Sequence, residues 1–399
     1  MRILFINQFY WPDAAATGQL LTDVTRVLAD AGHQVEVICA KGSYAAVDVV
    51  DDPPPVTVHR LEGLPFSHGK VSRVLSYLSF YLACLWKTLR MPKPDLVITM
   101  TTPPLLVAIG ALLERFRGVR HMVWAMDLFP QSFVDLGILP AGSPIIRALH
   151  AVSDYAYRRA DGIVTLGECM RRRLLERDIP EEKLHIVDNW ADGRSIFPIA
   201  RHREGDALVL LYSGNLGLAH DVETILNAAE ALKKDDRFCF RFAGGGTRRK
   251  RVTEFCAERG VRNISWLPYC MRAHLAYSLS ECDIGLVTQR SSCVGSVVPS
   301  KLYGLMAAGR PILYIGPKHT TAAYVIERFR CGWHIECGDD RGLLALLEVL
   351  YARQELIQAA GLRAREAFLA HYDMPQAVAK FCAIIGAPVS TPYKVASGM

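Results

Sequence analysis

The chain is predicted to be an α/β protein of two doubly wound domains, and three observations predict it. Its 399 residues exceed what one ordinary hydrophobic core organises. Short apolar runs alternate with amphipathic segments of helical period, the rhythm of parallel strands joined by right-handed crossovers. That rhythm starts twice, at Ile3 and again at Ala207.

In the first half, Ile3–Ile6 reads as a strand, Gln19–Gly32 as an amphipathic helix closed by Gly32, and Gln34–Ala40 as the next strand. Further buried strands are expected at Leu96–Met100, His121–Ala125, Gly162–Leu166 and Leu184–Val187. In the second half, strands are expected at Ala207–Tyr212, Phe238–Phe242, Asn263–Trp266, Asp283–Val287, Pro311–Tyr314 and Trp333–Ile335. Helices near Leu344–Leu369 and Gln376–Ile385 finish the second half or cross back to the first. The domains are therefore placed at 1–193 and 207–387, with a polar, irregular linker at 194–206 and a loose tail at 388–399. Doubly wound sheets bind ligands at the carboxyl ends of their strands, so a cleft between two such domains is the expected site.

The composition narrows the class. With 51% hydrophobic and 22% charged residues the chain is globular. A net charge of +6 favours acidic partners such as nucleotides or an anionic membrane surface, and there is no basic tail or zinc-finger spacing to demand nucleic acid. Eleven cysteines without a C-x-x-C pair read as reduced core residues of a cytoplasmic protein. MRILFINQFYW lacks the features of a signal peptide, and no run of 18 apolar residues predicts a span.

Three glycine-bearing loops follow strands: NQFYWPDAAATGQLL with Gly18, YSGNLGLAHDVETIL with Gly214 and Gly217, and FAGGGTRRKRV with Gly244, Gly245 and Gly246. Each either makes a tight turn or offers backbone N–H groups to a phosphate. None has the spacing of a P-loop. In VVPSKLYGLMAAGRPIL, Pro299 and Ser300 open a helix whose first turn holds Lys301, where the helix dipole disfavours a cation, and whose middle holds Gly304, a poor helix former. A solvated surface lysine accounts for this, and so does a phosphate site that brings its own anion. Asp127, in WAMDLFPQSF, directly follows a strand; it either caps a turn or handles an acceptor hydroxyl and its proton. His220 reads as a polar neighbour of the second loop.

The stretch GKVSRVLSYLSFYLACLWKTLRMPK places Val74, Leu75, Leu78, Tyr81, Leu82, Leu85, Trp86 and Leu89 on a wide apolar helix surface, flanked by Lys70, Arg73, Lys87, Arg90 and Lys93. It fits a core helix and a membrane-interface helix equally.

Together these segments resemble the family 4 glycosyltransferases of GT-B fold, and among them the bacterial enzymes of exopolysaccharide, colanic-acid and O-antigen assembly. The resemblance runs from Met1 to about Ile385 and is carried by FYWPDAAATGQLLTDVTRVLADAGHQVEVICA, WAMDLFPQS, VDNWADGRSIF, YSGNLGLAHDVETILNAA, FAGGG and VPSKLYGLMAAGRPIL. It implies a retaining transfer from a nucleotide-diphosphate sugar, with a UDP-sugar favoured, to a saccharide or polyprenyl-diphosphate-linked acceptor. It further implies a cytoplasmic enzyme in peripheral contact with the inner membrane face, and neither metal nor other cofactor; no D-x-D motif occurs. By the same resemblance Asp127 and Lys301 fall at the reacting centre, and Gly18, Gly214, Asn215, Gly245, Arg248, Pro268, Ser300, Lys301 and Tyr303 at the donor.

Two departures qualify it. The family's paired glutamates, eight positions apart, are replaced by Ser296 and Gly304, and the family's Arg and Lys after the first strand of the second domain are replaced within GNLGLAH, where Asn215 and His220 stand. A glycosyltransferase-like subunit that binds a partner enzyme or a lipid acceptor is the alternative these departures raise; a sugar-nucleotide epimerase lacks a convincing acid and histidine set.

Overall fold

The computed structural model describes residues 1–13, 15–41, 52–62, 70–201 and 205–389, and the side chains of Lys70, Val71 and Arg73 lie outside that description, as does the expected tail beyond 389. The chain divides into two compact units: residues 1–188 with 295–297 and the C-terminal segment from Pro375, and residues 189–294 with 298–374.

Unit 1 runs β1 (Arg2–Ile6), α1 (Ala16–Asp30), β2 (Gln34–Ala40), β3 (Thr57–Leu61), α2 (Lys70–Arg90), β4 (Leu96–Met100), α3 (Val107–Arg117), β5 (Arg120–Trp124), α4 (Gln131–Asp135), α5 (Pro144–Arg159), β6 (Gly162–Thr165), α6 (Glu168–Leu175) and β7 (Leu184–Ile186). Its seven strands form a parallel sheet in the order β3-β2-β1-β4-β5-β6-β7. The central strands are mostly apolar because helices cover both faces of a parallel sheet; every residue of β4 is buried. One face packs Leu4, Ile6, Ile38 and Val97 against Phe80 and Cys84 of α2 and Ile109 and Leu113 of α3.

Unit 2 runs β8 (Leu208–Ser213), α7 (Glu223–Ala231), β9 (Phe238–Ala243), α8 (Arg249–Arg259), β10 (Ile264–Leu267), α9 (Leu275–Ser280), β11 (Ile284–Thr288), α10 (Lys301–Ala307), β12 (Ile312–Ile315), α11 (Thr321–Phe329), β13 (Gly332–Ile335), α12 (Asp340–Ala352) and α13 (Gln354–His371). Its six parallel strands are ordered β10-β9-β8-β11-β12-β13. Strand period 2 sends Leu208, Leu210 and Tyr212 into the core under α7, α8 and α12, and Val209 and Leu211 into the core under α10, α11 and α13.

The last helix, α14 (Met374–Ile384), belongs almost wholly to unit 1, where Phe381 packs on Trp124 with ring centroids 4.4 Å apart and Arg120 donates to the Ile385 carbonyl at 3.0 Å. The second domain therefore ends at Met374 and not at 387. The described start of the expected linker 194–206, residues 194–201, also packs as part of unit 2: Ile196 is buried in its core, and Arg310 donates to the Ile199 carbonyl at 2.6 Å. The single helix expected over Leu344–Leu369 is two, α12 and α13, divided at Arg353, whose φ of −128° and ψ of 66° are not helical.

Candidate active site

In each sheet the strand order reverses once, between β1 and β4 in unit 1 and between β8 and β11 in unit 2. Such switch points open a crevice at the carboxyl ends of the strands. In unit 2, the loops after β8 and β11 meet there. Lys301 begins α10, immediately after the second of these loops. Its Nζ lies 5.1 Å from the centroid of the Tyr212 ring, at the end of β8. The side chain is half-buried, and among the described residues no carboxylate pairs with it. Burial pushes its ammonium pKa down to about 8.

The glycines after β8 and β9 follow from how closely these loops approach. Gly214 has φ +120°, and a Cβ there would stand 2.8 Å from Cε of Lys301. A side chain at 214 therefore takes the space the lysine uses. The β8 loop also docks on the β9 loop through its backbone: Gly214 N donates to the Ala243 carbonyl at 2.7 Å, Leu216 N to the Gly245 carbonyl at 2.7 Å, and Arg248 N to the Leu216 carbonyl at 3.0 Å. A Cβ on Gly246 would strike the Leu216 backbone, and one on Gly244 would lie 2.5 Å from the Gly214 carbonyl oxygen. These glycines serve loop-on-loop packing.

The neighbours of Lys301 leave the pocket cationic. His220 donates from Nδ1 to the Thr288 carbonyl at 3.0 Å, its ring edge-on to Tyr212 at 5.6 Å. Burial, then the Lys301 ammonium, push its pKa down to about 3, so it is neutral at pH 7. Arg248 stands 3.9 Å from Glu223, but that carboxylate already pairs with Arg251 at 2.7 Å. One carboxylate thus faces two guanidiniums, and Lys301 has none.

In unit 1, Asp127 lies just beyond β5. The backbone N–H groups of Met126 and Asp127 both donate to Oγ1 of Thr101, each at 3.0 Å, which fixes the turn after the strand. The Leu128 N–H donates to the Ser296 carbonyl at 2.9 Å, and Asp127 bridges to Val297. The Asp127 carboxyl is half-buried, and desolvation raises its pKa to about 6.

This arrangement agrees with two family matches that span most of the chain: residues 17–190 match the Glycosyl transferase 4-like domain, and residues 195–367 match the Glycosyl transferases group 1 family. The chain is a family 4 glycosyltransferase of GT-B fold. It is of the type that serves polysaccharide biosynthesis. The "Probable glycosyltransferase WbjE" of Pseudomonas aeruginosa is 28% identical over 315 residues, 74% of this chain and 78% of that protein. The "Putative colanic acid biosynthesis glycosyl transferase WcaI" of Escherichia coli K12 is 25% identical over 355 residues, 82% of this chain and 86% of that one. Among solved structures, sucrose-phosphate synthase from Thermosynechococcus elongatus superposes with a TM-score of 0.76 at 14% identity, covering 96% of this chain and 97% of that one. Anabaena Alr3699/HepE, solved with UDP, superposes with a TM-score of 0.70 at 13% identity over 97% of this chain and all of that one (100%).

Within this glycosyltransferase the structure brings together Gly214, Asn215, Gly245, Arg248 and Lys301, with Ser300 next to Lys301 on the chain. Pro268 is exposed at the end of β10, beside the ring of Tyr269, which faces Gly245. Tyr303 is not with them. It is buried against Tyr372 with centroids 5.2 Å apart, because residues two apart on a helix point about 200° apart. Gly18 is inside the first turn of α1, packed against the Phe9–Tyr10 backbone at 3.3–3.4 Å from its would-be Cβ. Gly304, three residues on from Lys301, shares its helix face, and a Cβ there would meet only Cδ1 of Leu279 at 3.8 Å. Sequence reasoning passed over Tyr212, whose ring carries Lys301, and Tyr269; both are tyrosines at strand ends beside glycine loops, which is the signal that could have found them. Among the described residues, no cluster of three or more His, Cys, Asp or Glu is arranged to hold a metal ion.

Proposed function

We propose that the protein is a retaining glycosyltransferase that moves a sugar from a UDP-sugar to a saccharide or polyprenyl-diphosphate-linked acceptor, without a metal ion, at the inner face of the membrane. The observation that carries the donor side is Lys301: a half-buried cation on an aromatic ring, with no carboxylate partner in a pocket that has excess positive charge. A diphosphate supplies the missing anion. As the bond from the anomeric carbon to the diphosphate breaks, negative charge builds on the leaving oxygen, and Lys301, with Arg248 nearby, stabilises it. Backbone N–H groups of the Gly214 and Gly245 loops hold the phosphates. Asp127 orients the acceptor hydroxyl, whose proton is lost as the new glycosidic bond forms. That HepE was solved with UDP, and that WcaI is named for colanic acid biosynthesis, supports the choice of donor and pathway class.

A second reading is favoured by one observation. With Gly304 on the Lys301 face, no side chain is available where the family places a carboxylate for the ribose. One charge-assisted hydrogen bond contributes about 1.5–3 kcal/mol, so its loss weakens donor binding about tenfold to a hundredfold. An impaired, partner-binding subunit is the limit of that trend. A thermal-shift screen with UDP, GDP, ADP and their sugars decides between the two. UDP at 100 times its Kd stabilises by about 2.7 kcal/mol and raises Tm; release of UDP from the matching UDP-sugar then follows in the presence of acceptor. No shift with any nucleotide leaves the subunit reading.

A further inference from the structure

A cavity in unit 2 lies at the amino ends of its strands, away from the transfer site. Asp283 immediately precedes β11, and Arg310 and Pro311 immediately precede β12. The Thr288 end of β11, where His220 bonds, is about 16 Å further along that strand. The cavity measures about 240 Å³ and is lined by Arg201, Asp283, Arg310, Gln354, Ile357 and Gln358 among others.

The local sequence builds it. Gly309, at φ +65°, follows α10 and turns the chain into Arg310. Gly361, in the middle of α13, lets that helix lie against the turn: a Cβ there would stand 2.5 Å from the Gly309 carbonyl oxygen. Gln354, Ile357 and Gln358, at spacings of three and four, share the α13 face that closes the cavity.

Its charge is unbalanced. Asp283 is the one carboxylate among the lining residues, and it is engaged: it pairs with Arg201 and accepts the Val209 N–H at 2.8 Å. Both side chains of that pair are buried. Arg310 has no such partner. It donates to the neutral Ile199 carbonyl at 2.6 Å, its Nε is buried without a hydrogen bond, and among the described residues no carboxylate pairs with it. Burial holds its pKa below the usual arginine value. A guanidinium left this way matches an oxyanion, which accepts from two of its nitrogens at once. The volume falls below the roughly 300–1,000 Å³ of sites for drug-sized ligands, so it suits a phosphate with a short polar body better than a nucleotide.

We propose that this cavity is a second ligand site, which takes the phosphate group of a small phosphorylated molecule or the free ion, with Arg310 as its principal donor and Arg201 beside it. The cavity joins Arg201, near where the chain enters unit 2, to α13, the last helix before the chain leaves it. A bound phosphate therefore ties the two together and stabilises the unit.

The test is calorimetric titration of the full chain with inorganic phosphate and with glycerol 3-phosphate, with and without UDP, alongside melting curves. Phosphate should bind and raise Tm whether or not UDP is present, and should bind equally to Lys301→Met, which keeps this result separate from the donor reading. Arg310→Met should weaken it at least about tenfold, with UDP binding unchanged. Gln358→Glu, an exposed change that brings a carboxylate to the cavity, should weaken it similarly with an unchanged Tm in the absence of phosphate. That second variant keeps the outcome independent of how well Arg310→Met folds. Tighter binding of glycerol 3-phosphate identifies a phosphorylated molecule and tighter binding of inorganic phosphate the free ion; both uphold the site. No saturable binding of either probe, displacement by UDP, loss of binding in Lys301→Met, or full binding by either cavity variant would overturn the proposal.

Discussion

Lys301 in unit 2 and Asp127 in unit 1 each lie beyond the carboxyl end of a central strand, half-buried, with no opposite charge from their own unit among the described residues. Their surroundings differ. Lys301 rests on the Tyr212 ring, next to a neutral His220 and within a cationic pocket. Asp127 is placed through its backbone, by the Thr101 hydroxyl, which leaves its carboxyl oxygens unengaged by that contact. Burial moves the two pKa values toward neutrality from opposite sides, down to about 8 for the lysine and up to about 6 for the aspartate. The lysine's environment suits an incoming anion; the aspartate's suits a hydroxyl and its proton. In both cases the folded protein bears a desolvation cost for the charged side chain.

The strongest way to break this comparison is Asp127→Asn. Transfer should fall about 10²–10⁴-fold, with UDP affinity unchanged. Because the folded pKa lies above the unfolded value, the cost of charging Asp127 is absent below the unfolded pKa and full above about pH 6. The amide should therefore raise Tm at pH 7, and a lower Tm would argue that the carboxylate is held by partners. Next in size is Lys301→Met. UDP should bind about tenfold to a hundredfold more weakly. The folded pKa here lies below the unfolded one, so the wild type carries its penalty below pH 8 and sheds it as pH rises toward the unfolded value. The empty variant should thus be the more stable protein at neutral pH and lose that advantage in alkali, as scanning calorimetry would read.

Two glycines sharpen the contrast on a smaller scale. Gly214→Ala forces a side chain into φ +120° and against Lys301 Cε, and should cost about 1–3 kcal/mol in a denaturant melt. Gly304→Ala meets only Leu279 at 3.8 Å, and should stabilise by about 1 kcal/mol by removing a mid-helix glycine. If the two alanines behaved alike, the distinction between a glycine required by a close approach and one that merely leaves space would be lost.

How much of this was legible depends on how far apart in sequence the interacting residues lie. β4 was readable to the residue because LVITM is an almost unbroken apolar run bounded by turns, and β2 because its β-branched residues Val35, Val37 and Ile38 follow closely on the glycine that closes α1. β3, TVHRL, was missed: it is an edge strand, half polar, and follows three prolines. On α2 the apolar residues were visible, but which face meets the core depends on α3 and the sheet, and that sorting put Phe80 inward and Leu82 outward. Lys301 was legible as a cation in the wrong helix turn. Its seat on Tyr212, and the reason Gly214 must be glycine, join residues 89 and 87 positions apart and emerge only from the β8–β11 pairing. Tyr303 went the other way, adjacent in sequence yet turned into the core.

The measurement that tests the central claim most directly is calorimetric titration of UDP between about pH 7 and about pH 9.5, in buffers of differing ionisation heat. Lys301 is about half-deprotonated near pH 8, so binding a diphosphate there should take up a fraction of a proton, affinity should decline as pH rises further, and both effects should vanish in Lys301→Met. UDP binding with no proton uptake, and an affinity that holds to pH 9.5 in both proteins, would contradict the assignment of Lys301 to the donor diphosphate.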